Sequence, residues 1–306
     1  MTSSASIVII FGAAGAIGRA AAIEANARGC RVFLAMRDTK KPIPGLSREL
    51  EEKSSFTRIQ ADLLDPNSIR NAISNSGATI AFTYAVHTAQ DAMRSAFGAM
   101  KEAGIQRVVF LSSYTVYPDV ETAIAGTRPI ASLHGRAEKS LVESGLPHTI
   151  LRPMFFSSNI SGDAEDVKNG EVYVLRPGSI SDYIAPEDIG YVAGATLAEQ
   201  TTESRIIPLC GPELLSQREA WNIVSQELGR EIKVKEVDEA EFLARQKVPP
   251  PLARNLADYW LEGEDTSVRY PSELYKEASG NIQKYTGREP TKFAAWIKAH
   301  KSEIFD

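Results

Sequence analysis

Residues 8–20 read VIIFGAAGAIGRA: an apolar run from Val8 to Phe11 stops at Gly12, meets glycines again at 15 and 18, and passes into small residues ending near Ala27. The apolar run has the character of a buried strand and the small-residue stretch that of a helix. Between them each glycine has its own task. Gly12 allows a sharp turn off the strand, Gly15 lets a backbone approach a pyrophosphate, and Gly18 lets the helix pack closely on the sheet. With Ala14, Ala16 and Ile17 filling the same turn, the unpaired N–H groups and positive dipole end of the helix face an anion. The spacing is GxxGxxG, not GxGxxG, and its alternative reading is a tight strand-to-helix turn that holds nothing. Its place after one strand and before one helix makes it a dinucleotide cradle.

The pattern continues outward from there. Strand-like runs at 7–11, 31–36, 56–60, 79–84, 107–111 and 148–151 alternate with helical patterns at 16–28, 66–74, 89–103 and 133–144. Such alternation specifies an α/β fold, a mostly parallel sheet with helices on both faces. We assign residues 1–152 to a nucleotide-binding domain, and 153–306 to the remaining sheet elements plus a smaller mixed α/β substrate region. The latter carries strand-like runs at 171–175, 206–209 and 232–237 and helical patterns at 189–198, 217–228, 239–247, 252–262 and 290–300.

With 306 residues, 43% of them hydrophobic, the chain can bury a large core. Its 34 basic and 39 acidic residues leave a net charge of -5, which weighs against nucleic acid as a partner. Cys30 and Cys210 lie far apart and outside any metal-ligand spacing, so free thiols and no metal are expected. Only a short polar leader precedes the first strand, leaving no room for a signal peptide. No apolar run approaches the ~20 residues of a membrane span, so a cytoplasmic protein without a membrane partner is expected.

The second strand ends in Met36-Arg37-Asp38, with Lys40 and Lys41 following. An acidic residue at this position would bind a free ribose 2'-hydroxyl, whereas Arg37 with Lys41 neutralises a 2'-phosphate, which favours NADP over NAD. Asp38 reaching a ribose hydroxyl, or a solvated loop touching nothing, are the alternatives. After the third strand, Asp62-Leu63 stands at the carboxyl edge, where Asp62 accepts from an adenine amino group or else serves the next helix, for which Asp65 is the better cap.

The ordered set GAAGAIG, AMRD, ADLLDP, VVFLSSYTVYP, HGRAEKSLVESGLPHTILRPMFFSSN and YIAPEDIG resembles the NmrA-like branch of the atypical short-chain dehydrogenases/reductases, over roughly residues 7–200. The resemblance implies a Rossmann-type, doubly wound NADP(H)-binding domain and a variable carboxyl-terminal substrate region. It matches Ser113 to the family's active-site serine and Lys139 to the lysine that holds the nicotinamide ribose. It places Gly135 where ordinary members carry the catalytic tyrosine. It also sends Pro153, Phe155 and Phe156 past the nicotinamide, although plain core packing explains the phenylalanines equally well. Lys139 reads alternatively as an exposed helix lysine.

With no tyrosine at 135, Tyr114, Tyr117 and His134 are the candidate proton donors, unless the substrate is a quinone, whose reduced anion is a weak enough base for water to serve. Asn159 either orients substrate or caps a turn, and Tyr259-Trp260 either packs helices or lines an aromatic pocket. The functional expectation is an NADPH-dependent reductase of a small, largely apolar carbonyl, quinone or related unsaturated substrate. A redox sensor with a protein partner and a non-redox cyclase or isomerase are the alternatives.

Overall fold

The structure, a computed structural model, describes residues 5–54 and 56–306; the first four residues of the leader lie outside it. Strands β1 (Ile7–Phe11), β2 (Arg31–Met36), β3 (Thr57–Gln60), β4 (Ile80–Tyr84), β5 (Arg107–Leu111) and β6 (His148–Pro153) alternate with helices α1 (Ala16–Ala27), α2 (Arg48–Lys53), α3 (Pro66–Ser76), α4 (Arg94–Glu102), α5 (Val120–Ala125) and α6 (Pro129–Ser144). After helix α7 (Ala164–Lys168) come β7 (Glu171–Val174), β8 (Ile180–Ser181), α8 (Pro186–Ala198) and β9 (Arg205–Leu209). The main sheet runs β3-β2-β1-β4-β5-β6-β9, with every pair parallel. Its order reverses between β1 and β4, and such a switch point opens a crevice at the carboxyl ends of the strands.

Alternating side chains of β1 serve opposite faces, as the strand period requires. Val8 and Ile10 join Leu34, Phe82, Ile189 and Val192 on one side. Ile9 and Phe11 join Phe33, Phe97, Phe110 and Leu141 on the other. Over the first face α1 and α8 pack backbone to backbone. A Cβ at Gly194 would lie 2.5 Å from the Glu24 Cβ and 2.6 Å from the Ala21 carbonyl, and one at Gly190 would collide with Ala20 and the Ile17 carbonyl.

The remaining elements are β10 (Leu215–Ser216), α9 (Gln217–Leu228), β11 (Lys233–Glu236), α10 (Glu239–Arg245), α11 (Pro250–Leu261), α12 (Thr266–Arg269), α13 (Ser272–Thr286) and α14 (Phe293–Phe305). Two small ribbons, β7 with β11 and β8 with β10, anchor them beside the sheet. The α9 start is a capping box of Ser216 and Glu219. Helix α13 is the largest element absent from the sequence reading. It buries only Ala278, Asn281 and Ile282, a stripe too thin to show as periodicity, and it is docked partly by Asn281 donating to the Pro208 carbonyl at 2.9 Å. Strand β6 runs through Pro153, which pairs opposite Leu209. No helix of the described residues is long and apolar enough to cross a membrane.

Overpacking the α1–α8 contact should cost stability. Gly194→Ala is expected to lower the unfolding free energy by about 1–3 kcal/mol, read from the urea midpoint. Gly98→Ala, in α4 with open space around the added carbon, should raise it by about 0.5–1 kcal/mol.

Candidate functional site

At the switch point β1 turns at Gly12 with φ +75°, and a Cβ there would lie 2.6 Å from the Tyr84 ring. Gly18 packs so tightly on the Gly12 carbonyl that a Cβ has no room. Gly15 differs: its nearest neighbour would be the Gly12 oxygen at 3.5 Å, so the space above it is cavity and no protein atom demands a glycine there. No side chain caps α1, which leaves its leading N–H groups free for a ligand. The cavity over this turn has a volume of about 1010 Å3 and is lined by Gly12, Ala14, Gly15, Ala16, Ile17, Gly18, Arg37, Lys41, Asp62, Leu63 and Phe156. A diphosphate-linked dinucleotide fits that combination of room, bare helix N-terminus and cations.

Among the described residues neither Arg37 nor Lys41 has an ion-pair partner, although both line the cavity. Asp38 also lines the cavity, with one carboxylate oxygen accepting from the Lys40 N–H at 3.0 Å. The loop carrying these residues is fastened from behind. Arg58 pairs with the buried Glu51 and donates to the Thr39 carbonyl at 2.8 Å and to that of Lys41. Asp62 lines the cavity while accepting from Leu64 N–H at 3.0 Å, and Asp65 caps α3.

The other predicted residues are separated by the rotation of α6. An α-helix turns about 100° per residue. Ala131, Gly135, Ala137, Glu138, Ser140 and Leu141 are its buried positions, and Lys139 is not among them. A Cβ at Gly135 would touch Ile124 and Ala123 of α5, and Lys139 pairs at 2.8 Å with Glu121 of the same helix. Position 135 is a helix-packing glycine, and a larger side chain there would meet α5. Lys139 is not among the residues that line the cavity. Ser113 also lies outside: the chain turns directly after β5, and its Oγ caps that turn, accepting from Thr115 N at 3.2 Å and Thr115 Oγ1 at 2.9 Å. Tyr117 is exposed and stacked on Tyr114, whose hydroxyl donates to the Arg269 carbonyl at 2.8 Å. Pro153 is buried inside β6.

His134 is placed differently. Its Nδ1 is enclosed and has no partner. Burial, with a smaller contribution from nearby His87, pushes its imidazole down to about 4, so it is neutral at physiological pH. His87 lies between Val86 and Thr88, both of which line the far end of the cradle. Below it, Glu138 forms a buried bidentate pair with Arg152, at 3.0 and 2.6 Å, and accepts from Ser112, fixing α6 to the sheet.

A second cavity, of about 640 Å3, opens in the carboxyl-terminal region. Its wall is shared: Phe156 and Ser158 line the cradle, while Phe155 and Asn159 line the second cavity. Ile130, one helical turn before His134, lines it too. Phe155 is held by Asp182, which accepts from the N–H of Phe155 (3.0 Å) and of Gly211 (2.8 Å) and from the Tyr270 hydroxyl (2.9 Å). Burial raises the Asp182 carboxyl to about 6 in spite of these donors. Trp260 lines the cavity, and Tyr259 stacks on Phe155 at 5.3 Å. Tyr84 and Thr88 in the cradle, and Asp163 and Trp221 in the second cavity, stand in no motif of the sequence, whereas Ser158, Tyr183 and Pro186 lie within the FFSSN and YIAPEDIG segments without any spacing that marks them as lining residues.

Comparison with known proteins agrees with this geometry. Residues 12–199 match a family described as NAD(P)H-binding. The chain is 36% identical to a nitrogen metabolite regulation-like protein, bik4, of Gibberella fujikuroi, over 98% of both chains. It is 27% identical to a (4-alkanoyl-5-oxo-2,5-dihydrofuran-3-yl)methyl phosphate reductase of Streptomyces griseus, over 96% of this chain and 98% of that one. An NADPH-dependent quinone oxidoreductase of Escherichia coli, solved with NADPH, shares the fold with a TM-score of 0.75 at 20% identity, over 96% of this chain and 99% of that one.

The neutral His134 makes a prediction about acid stability. Unfolded chain takes up a proton near the ordinary value of 6.5, whereas folded protein holds it off until about 4. His134 therefore removes stability as pH falls through that window, by up to about 3 kcal/mol. Asp182 acts in the opposite sense, its raised carboxyl favouring the folded state at low pH, so the comparison is made against a variant. Urea midpoints of wild type and His134→Gln should differ more in the variant's favour near pH 4.5 than near pH 7. Parallel acid losses would contradict the buried neutral imidazole.

Proposed function

The chain belongs to the NAD(P)H-binding family, as an NmrA-like member of it, and on that premise we propose that it is an NADPH-dependent reductase of a small, largely apolar carbonyl, quinone or related unsaturated substrate. The observation that carries the reading is the pair of cavities sharing the wall 155–159, one a dinucleotide cradle with unpaired Arg37 and Lys41, the other lined by aromatic rings. NADPH, when bound, supplies a hydride.

The chain's own residues do the rest. Arg37 and Lys41 neutralise a ribose 2'-phosphate, and the N–H groups of the first turn of α1 take the diphosphate. Phe156 and its apolar neighbours exclude water from the far end of the cradle. His134 lines neither cavity but lies near His87, whose neighbours Val86 and Thr88 line the cradle, and we assign its ring N–H as the donor to the substrate oxygen on which negative charge develops. It donates that hydrogen bond without delivering its own proton, because an imidazole held near 4 carries none to spare. The proton comes from water, which suits a quinone or an activated enone.

NADPH oxidation across a panel of quinones, enones and ketones is the assay. Arg37→Ala is expected to raise KM for NADPH about ten- to hundredfold with little effect on NADH. His134→Gln should lower kcat about 10²-fold with KM for NADPH unchanged, and Lys139→Ala should leave both constants as they are. Turnover that fails with every substrate, or that collapses in Lys139→Ala, would refute the assignment. A second reading, a redox sensor, is favoured by the name of bik4, similar over its whole length. It requires NADPH binding that alters the affinity for a protein partner without consuming cofactor.

A further inference from the structure

We propose that the second cavity binds a protonated amine carried on an apolar, ring-containing body, with Asp163 as its counter-ion. For what happens to the bound molecule the inference rests on the reductase reading; for binding itself it does not.

Six aromatic side chains line the space, Phe155, Tyr173, Tyr183, Trp221, Phe242 and Trp260, a surface that attracts flat apolar groups and, through its ring faces, cations. Three acidic and two basic side chains complete it, and their pairing is unequal. Lys247 is bound to Glu165. Arg245 is bound to Glu241 at 2.8 Å and lies over the Tyr173 ring. Asp163 and Asp166 have neither an ion pair nor a side-chain hydrogen bond among the described residues, so the cavity carries uncompensated negative charge.

Asp163 ends a 3-10 turn, Ser157–Asp163, that runs straight into α7. Its side chain makes no cap hydrogen bond and lines the cavity. Burial first, and the neighbouring Asp166 second, push its carboxyl up to about 7, the response of a carboxylate without a counter-ion. A cation seated among the rings would supply that counter-ion, whereas a neutral ligand of the same shape would not.

The test uses a matched pair, 2-(2-naphthyl)ethylamine and 2-(2-naphthyl)ethanol, titrated calorimetrically into the full chain with and without NADPH. At about pH 8, where Asp163 is ionised, the amine should bind at least about tenfold more tightly than the alcohol. Asp163→Asn should abolish that preference while leaving the alcohol's Kd and NADPH binding unchanged, and Asp166→Asn should reduce it only in part. If Asp163→Asn does not fold, the wild-type pH titration decides. The preference must fall as pH drops through about 7, with Asp166, Glu165, Lys247, Arg245, Tyr173 and Tyr183 as the other titratable groups facing the space. Equal affinities for amine and alcohol, or a preference that survives in Asp163→Asn or is flat with pH, would overturn the proposal. A chain that prefers the amine yet never oxidises NADPH would sink the reductase reading and leave this one; a reductase that binds both probes alike would do the reverse.

Discussion

Helix α1 lies so near the strand it leaves that one further carbon at Gly18 would strike the carbonyl of Gly12, and one at Gly194 of α8 would strike α1 from the other side. That double close approach sets where the helix can end. Its uncapped N-terminus is pinned over the crevice between β1 and β4, and there the loop after β2 can bring Arg37 and Lys41 to the same cavity. Were α1 displaced by the width of a methyl group, the N–H groups and the cations would no longer converge on one anion. Backbone proximity, and not any single side chain, makes the cradle.

Around that frame, buried polar groups are used for positioning. Arg58 and Glu51 hold the loop of residues 39–41, Glu138 with Arg152 and Ser112 locks α6 to β5 and β6, and Asp182 gathers Phe155, Gly211 and Tyr270. Each network satisfies its donors and acceptors, the ordinary condition for burying polarity. Against that background the carboxylates of Asp163 and Asp166, which line the second cavity without an ion pair, stand out. The enclosed Nδ1 of His134 is likewise without a partner, one of a few such buried atoms among the described residues.

Most of the sheet was legible in the amino-acid order, because a parallel strand buried on both faces is a nearly continuous apolar run. Runs such as Val8 to Phe11 and residues 107–111 have little other use. The cradle was legible for a related reason: three glycines with different steric duties leave a spacing that survives as text. Helix α13 was not, since only three of its residues are buried. For α6 a linear motif carries no information on register: Lys139 pairs with Glu121 of α5, and the spacing does not say which positions face the cleft. That depends on how α5 packs, and Gly135 is small because Ile124 and Ala123 press on it.

The chain by itself therefore determined the class of fold, the place of the dinucleotide turn and the family, because these rest on local periodicity and on steric needs satisfied within about thirty residues of one strand–helix–strand unit. Tertiary structure alone decided which side chains meet. Asp163, Tyr183, Trp221 and Trp260 come from separate elements and enclose one space, and Glu138 of α6 meets Arg152 of β6. A cavity is a property of surfaces brought together from distant parts of the chain. No spacing in the sequence encodes it, since the rotation of each helix is settled by what the others leave room for.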